Sequence, residues 1–374
     1  MNLRVPALLL IATLALANVA CMAMEEGTYE APGTPAPAPR PPQLPVPPPM
    51  APVAASRPAV LPTPSLPAST VSTSPVISSE CGEVKASSLS AARTVSADGR
   101  LGSAQDVPGL RPFVLLPPRE DAALRKKIVD RLDDNLGNFA VVVKDLQTGR
   151  GVSINSEWTY FTASLFKVYV MLEVMHQEAL GLLKLTDEVT ITSYYDAQSV
   201  GPRLTALCQR LTIRQALEAM MARSDNSVAV LLQDLVGSGN INASMVSLGL
   251  KNSHFLSEDL PTSAADLAKV LEGIGRYQAV SKSASEEMVR LLSLEQFDNG
   301  LRGGTPPGLR LAHKTGNYAG VTHDAGIVYG PSGAYVIVVL SDGANATGVT
   351  KDIATIVFDH FGAMSPVAAA TPRR

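Results

Sequence analysis

The chain has 374 residues, 46% hydrophobic and 17% charged, with a net charge of −3 and an isoelectric point near 6.0. That length suits one large domain or two ordinary ones and supplies enough apolar residues for a proper core. No basic face stands out to hold nucleic acid, and three cysteines without a Cys-x-x-Cys pair suggest neither a disulfide-dense scaffold nor a zinc site.

The amino terminus reads as a targeting segment over 1–21. Arg4 supplies the positive charge, and residues 8–16 form an apolar run too short to span a bilayer comfortably. Two processing readings stay open. Ala15-Leu16-Ala17 is a small-x-small cleavage site that releases a soluble protein. Ala20-Cys21 ends a lipobox-like stretch that leaves Cys21 lipidated and the chain anchored to a membrane. Asn18 stands where a lipobox carries an apolar residue, whereas the place of Cys21 directly after the run favours the anchor. Either route exports the chain to the cell envelope or beyond. Residues 22–107 are expected to be a linker. Within them, 32–75 hold 16 of the 28 prolines, a polyproline-like spacer reaching on the order of 130 Å if extended. With Cys21 set aside, Cys81 and Cys208 remain. A bridge between them is open outside the cytoplasm, but the expectation is two free thiols, one in the tail and one in a helix.

Order is expected over 108–364, with 365–374 a ragged end. Leu124, Ile128, Val129 and Leu132 predict a helix over 122–136, stopped by Gly137. Residues 139–146 and 151–155 predict a hairpin across Gln147-Thr148-Gly149-Arg150. Leu165, Val168, Leu172 and Met175 recur at helical spacing and predict an amphipathic helix to about Ala179. A short strand is expected over 189–193. Thr212 and Gln215 have capping-box spacing at the start of a helix carrying Ile213, Leu217 and Met220. That helix ends near Arg223, and another begins by Val228. Ser263 and Asp266 predict a second capping box, and 285–294 a further helix. Strands follow over 309–314, 324–329 and 334–341, then a last helix over 349–361. Met220, Met221 and Met245 are expected in the core. Tyr194 and Tyr195 either line a cleft or fill the core. This order predicts an α+β fold, an antiparallel sheet flanked by helices and built from both ends of the domain, with an all-helical lobe inserted over about 164–300.

Ser164 and Lys167 lie just under one helical turn apart and so share a face. A serine hydroxyl is a weak nucleophile that needs a base, and an amine serves once burial or a neighbouring cation lowers its pKa. A chain of this length holds roughly one or two Ser-x-x-Lys by chance, so the spacing alone says little. Ser224-Asp225-Asn226 and Lys314-Thr315-Gly316 follow it in that order. Each tripeptide has chance odds on the order of one in ten or less. Asp225 is expected to cap the helix after it. His313 and His323 flank the third motif without metal-ligand spacing.

The ordered trio resembles the motif set of penicillin-recognising serine enzymes, the class A β-lactamases and penicillin-binding proteins. The 60 residues from Ser164 to Ser224 are similar to the class A spacing. The resemblance covers about 120–362 and includes Phe161-Thr-Ala-Ser-Leu-Phe-Lys-Val and Ala312-His-Lys-Thr-Gly. It implies a five-stranded antiparallel sheet with helices on both faces and a separate helical lobe. It implies that Ser164 is the acylated nucleophile, Lys167 its activating amine and Ser224 the relay to the leaving nitrogen. Asn226 would position Lys167 and the substrate's side-chain amide. Lys314 and Thr315 would bind the substrate carboxylate, with Lys314 also depressing the pKa of Lys167. Gly316 would allow close backbone approach. The N–H groups of Ser164 and Asn317 would hold the oxyanion, each typically worth roughly 3–4 kcal/mol in the transition state. The implied substrate is a β-lactam or a D-Ala-D-Ala-like amide, and the protein is expected to act as a monomer without cofactor or metal.

One part of the pattern is missing. Class A enzymes carry Glu-x-x-Leu-Asn between the second and third motifs, whose Glu activates the deacylating water. Residues 248–263 contain no such motif and are about ten residues shorter than the family's loop. Glu258 is the only Glu there, either a displaced base or part of a solvated turn with Ser257 and Asp259. Acylation is therefore expected, with slow hydrolysis. The alternatives are a DD-peptidase-like penicillin-binding protein and a non-catalytic module that holds peptidoglycan stems.

Overall fold

Phe139–Asp145 is an almost unbroken apolar run, and in the computed structural model of the chain it is a central strand with every residue buried. The structure describes residues 81, 110, 116–199, 201–255, 260–318, 320–331, 333–342 and 346–362. The expected targeting segment with Cys21, the proline-rich stretch 32–75, Glu258 and the tail 365–374 lie outside the described residues.

β1 (Arg119–Glu120) leads into α1 (Ala122–Leu132), followed by β2 (Phe139–Asp145) and β3 (Arg150–Ile154), the predicted hairpin. β4 (Thr159–Phe161) precedes α2 (Phe166–Ala179). The middle of the chain forms β5 (Glu188–Thr190), α3 (Ser193–Gln198), β6 (Arg210–Thr212), α4 (Ile213–Arg223), α5 (Asn226–Val236) and α6 (Ser238–Ser247). Then come β7 (Pro261–Ser263), α7 (Ala264–Gly275), α8 (Lys282–Leu292) and α9 (Leu301–Gly304). β8 (Arg310–Tyr318), β9 (Val321–Gly330), β10 (Gly333–Ser341) and α10 (Ala346–Gly362) complete the described chain.

The main sheet has the order β1-β3-β2-β10-β9-β8, so strands from the two ends of the domain meet at β2 and β10, with Val143 opposite Ile337. Five strands are antiparallel, as expected. The sixth, β1, adds two residues parallel to β3, so the sheet is mixed rather than purely antiparallel. Alternation along β2 and β10 fills two cores. On one face Phe139, Val141, Val143, Ile337 and Val339 join Ile128 and Leu132 of α1 and Ile353 and Val357 of α10. On the other, Ala140, Val142, Val336 and Val338 join α7 and the helical lobe. Cover on both faces is why these strands show no polar alternation.

The lobe is built around α2. Lys167 through His176 are all buried, so the helix expected to be amphipathic is enclosed on every side. Met220, Met221 and Met245 are core residues, as expected. The capping box at Thr212 forms in full. At Ser263 only half forms: its hydroxyl accepts from Asp266 N–H, while the Asp266 carboxylate accepts from Lys251 N–H, Asn252 N–H and the Ser253 hydroxyl instead. α1 ends at Leu132 and continues as a 3-10 turn to Asn138.

Cys81 and Cys208 form a disulfide, with Cα atoms 5.1 Å apart. This corrects the expectation of two free thiols. Cys208 lies not in a helix but in the loop before β6, at φ +62, where its side chain meets Cys81. Tyr194 and Tyr195 differ in burial. Tyr195 packs against the core and donates its hydroxyl to Asp234 at 3.0 Å, while Tyr194 is half exposed and meets it edge-on.

Candidate active site

Three separate pieces of chain converge at the amino-terminal end of α2. Ser164 sits in a 3-10 turn, Ala163–Leu165, and Lys167 is the second residue of α2. Ala163 adopts φ +45, a left-handed conformation that an alanine takes only when its surroundings impose it. The imposing contacts are visible. Thr162 donates both its N–H and its hydroxyl to the carbonyl of Leu260, and Gly316 of β8 lies against the turn. A Cβ on Gly316 would come within 3.2 Å of the Thr162 carbonyl oxygen and 3.3 Å of the Ser164 nitrogen. The glycine of the third motif thus lets β8 approach the backbone of Ser164 itself.

The second motif is the tight turn between α4 and α5. Ser224 caps α4 in the left-handed region, at φ +56. Asp225 caps α5, as expected, through Val228 N–H, and is fully buried. Its other oxygen accepts from Leu204 N–H and the Thr205 hydroxyl, so it also pins the wall of the lobe. Gly201, at φ +92, packs against this turn, where a Cβ would come within 2.7 Å of the Asn226 amide nitrogen.

Lys167 is completely buried among these groups. Its Nζ lies 3.2 Å from Ser164 Oγ, 2.7 Å from Ser224 Oγ and 2.7 Å from the Ser224 carbonyl, and it also bonds Asn226 Oδ1. Ser224 Oγ and Ser164 Oγ are 2.9 Å apart. A neutral amine has two donors and one lone pair. The Ser224 carbonyl and Asn226 Oδ1 can only accept, so they take the two donors and leave the lone pair for a serine hydroxyl proton. Burial drives the Lys167 pKa down to about 6, helped by the positive charge of Lys314 and opposed by Glu295 and Asp225. The arrangement therefore holds a free amine against a serine hydroxyl near neutral pH.

The third motif lies on β8, the edge strand of the sheet. Lys314 is fully buried, donates to the Thr315 carbonyl at 3.1 Å and forms an ion pair with Glu295. Thr315 N–H donates to Glu295 Oε2 at 3.3 Å, away from β9, so this N–H points off the free edge. Alternate residues of a strand direct their N–H groups to the same edge. Asn317 N–H therefore faces the same free edge of β8. The Asn317 side chain is exposed.

All the predicted motif residues except Glu258 are thus placed, and they meet at one corner. Glu258 is outside the described residues. Of the described carboxylates beside that loop, Asp266 faces inward onto Lys251, Asn252 and Ser253, and Glu157 accepts from the Asn252 amide at 2.8 Å. The two histidines beside the third motif bind protein groups. His313 bonds Asp324, and His323 bridges the Phe161 carbonyl and Ser341 N–H in neutral form, its pKa lowered by burial. Glu295 is the neighbour of the third motif that sequence reasoning missed. It lies 19 residues before Lys314 in no recognisable motif, and only the packing of the segment after α8 against β8 brings it there.

The model of the family described as "Beta-lactamase enzyme family" matches residues 123–361. Among solved structures, PBP-A aligns at 20% identity with a TM-score of 0.61, over 67% of this chain and 99% of its own. A mutant of PBP-A in an acyl-enzyme complex with penicillin-G aligns at 21% identity and 0.61, over 67% of this chain and 100% of its own. A beta-lactamase from Chitinophaga pinensis aligns at 24% identity and 0.59, over 64% of this chain and 99% of its own. At these identities the likeness to solved structures bears on the fold. No curated protein matches the chain.

Proposed function

The chain belongs to the beta-lactamase enzyme family, and from that premise we propose that Ser164 is the nucleophile of an exported serine hydrolase that is acylated by β-lactams and hydrolyses them slowly. The observation that carries this reading is the buried Lys167 amine wedged between Ser164 Oγ and Ser224 Oγ, its pKa lowered by that burial to about 6. The Ser164 hydroxyl proton passes to Lys167 as Oγ attacks the lactam carbonyl. The N–H groups of Ser164 and Asn317 hold the oxyanion. As the C–N bond breaks, the proton travels from Lys167 through Ser224 Oγ to the leaving nitrogen, which restores the free amine. Asn226 keeps Lys167 in place through its amide oxygen, and Lys314 with Thr315 receives the substrate carboxylate. PBP-A, a mutant of which is seen as a penicillin-G acyl-enzyme, has the same fold, which supports the covalent route. Export rests on the targeting segment read at 1–21, with Cys21 as the lipid-bearing residue if the anchor is used.

Slow deacylation rests on residues 248–263, which lack Glu-x-x-Leu-Asn, and on two described carboxylates beside them, Asp266, which is occupied by Lys251, Asn252 and Ser253, and Glu157, which accepts from the Asn252 amide. The same observation favours a second reading, a DD-peptidase-like penicillin-binding protein acting on peptidoglycan stem peptides. Time-resolved intact mass with excess benzylpenicillin tests both. The expected result is a long-lived adduct on Ser164 that is absent from Ser164→Ala. Rapid conversion of penicillin with only free enzyme visible would contradict slow deacylation, and an adduct on Ser164→Ala would remove the assignment of the nucleophile.

A further inference from the structure

Lys314, the cation that the reading above gives to the substrate carboxylate, already holds a carboxylate from its own chain. Glu295 Oε2 accepts from Lys314 Nζ and from Thr315 N–H. Both side chains of the pair are completely buried. The Thr315 N–H lies on the free edge of β8, so Glu295 sits along the strand edge that also carries Asn317 N–H, not behind the sheet. Its second oxygen, Oε1, is buried without a hydrogen-bond partner among the described residues. The Phe297 ring, partly exposed, stands 5.9 Å from Lys314 Nζ and flanks the same corner.

The charges at this corner add up simply. Lys314 is paired with Glu295, and Lys167 is held uncharged, so these three groups offer no net positive charge to an incoming anion. A substrate carboxylate placed on Lys314 would share one ammonium with Glu295, and like charges at hydrogen-bonding distance disfavour each other strongly. The unpartnered Oε1 marks a carboxylate that its surroundings do not fully satisfy, so its hold on the site is incomplete.

We propose that Glu295 is a specificity-determining residue, an internal carboxylate that competes with the substrate carboxylate for Lys314 and Thr315 and shifts the enzyme toward acyl donors whose carboxylate is masked or absent. This rests on the function proposed above. The unmutated enzyme should then gain little from a free carboxylate on the substrate. Glu295→Gln removes the competing charge while leaving an amide oxygen for the lysine, and should restore preference for an anionic substrate.

The test is the acylation rate of the full chain by benzylpenicillin and by its methyl ester, followed by intact mass for the unmutated protein and for Glu295→Gln. In the unmutated protein the ester should acylate no more slowly than the free acid. In Glu295→Gln the ratio of acid to ester should rise by about tenfold or more, a shift of about 1.4 kcal/mol. A ratio unchanged in Glu295→Gln would overturn the proposal. So would a tenfold preference for the free acid in the unmutated protein, a measurement that holds even if the variant fails to fold. Failure of both compounds to acylate the unmutated protein would instead bring down the proposed function, and this inference with it.

Discussion

Two regions beside the Ser164 turn are built differently. On the Ser164 side, the polar groups around the nucleophile are spent on holding one buried amine. Ser224 Oγ, the Ser224 carbonyl and Asn226 Oδ1 surround Lys167, and they come from a turn whose backbone is fixed by its own contacts. On the side of 248–263, the described polar groups hold one another. Asp266 collects Lys251 N–H, Asn252 N–H and Ser253 Oγ, and Tyr169 bonds Ser253 and Thr262. The first region carries groups placed to move a proton; the described polar groups of the second hold its own backbone. The difference teaches that forming an acyl-enzyme and releasing it are separable demands on this fold.

The sharpest way to break that contrast is Lys167→Met. The substitution fills the buried seat without a base, and the acylation rate by benzylpenicillin should fall on the order of 10²–10⁴-fold. A fall of less than about tenfold would mean that another group takes the Ser164 proton. In the second region, Asp266→Ala should act on stability. Denaturant unfolding should show a loss of about 3 kcal/mol, because three donors lose a charged acceptor. The acylation rate per folded molecule should stay within about threefold. A large change in acyl-enzyme lifetime instead would place this region in the chemistry. The smallest effect expected is with pH. Lys167 is held down to about 6, so it is protonated and idle below that value and free above it. The acylation rate should fall about tenfold per pH unit below about 6 and level off above it. A rise continuing toward the ordinary lysine range would show that the amine is not depressed.

Much of the fold was legible because local rules and tertiary packing agree. Thr212 announces α4 by its cap, and the apolar runs of β2 and β10 announce buried strands. α6 was not legible. Its sequence, Ser-Gly-Asn-Ile-Asn-Ala-Ser-Met-Val-Ser, has weak helical periodicity, and it is held by burying Ile241, Asn242 and Met245. The bridge between Cys81 and Cys208 was not legible either. The two are 127 residues apart, and nothing in sequence spacing says that a loop brings their Cα atoms to 5.1 Å. Of the site, Ser164, Lys167, Ser224, Asn226 and Lys314 were readable as types at fixed spacings.

The sequence by itself determined which groups are available for acyl transfer, since a serine, an amine and their relays must be of particular chemical types in a particular order. Their state was decided only by the tertiary structure. Lys167 and Lys314 are the same residue type, both fully buried, yet one is surrounded by neutral acceptors and the other faces Glu295. For Lys167 burial outweighs the more distant Glu295 and Asp225 and lowers its pKa, whereas Lys314 is held in an ion pair with Glu295. That difference is set by which distant segment of chain packs against each lysine.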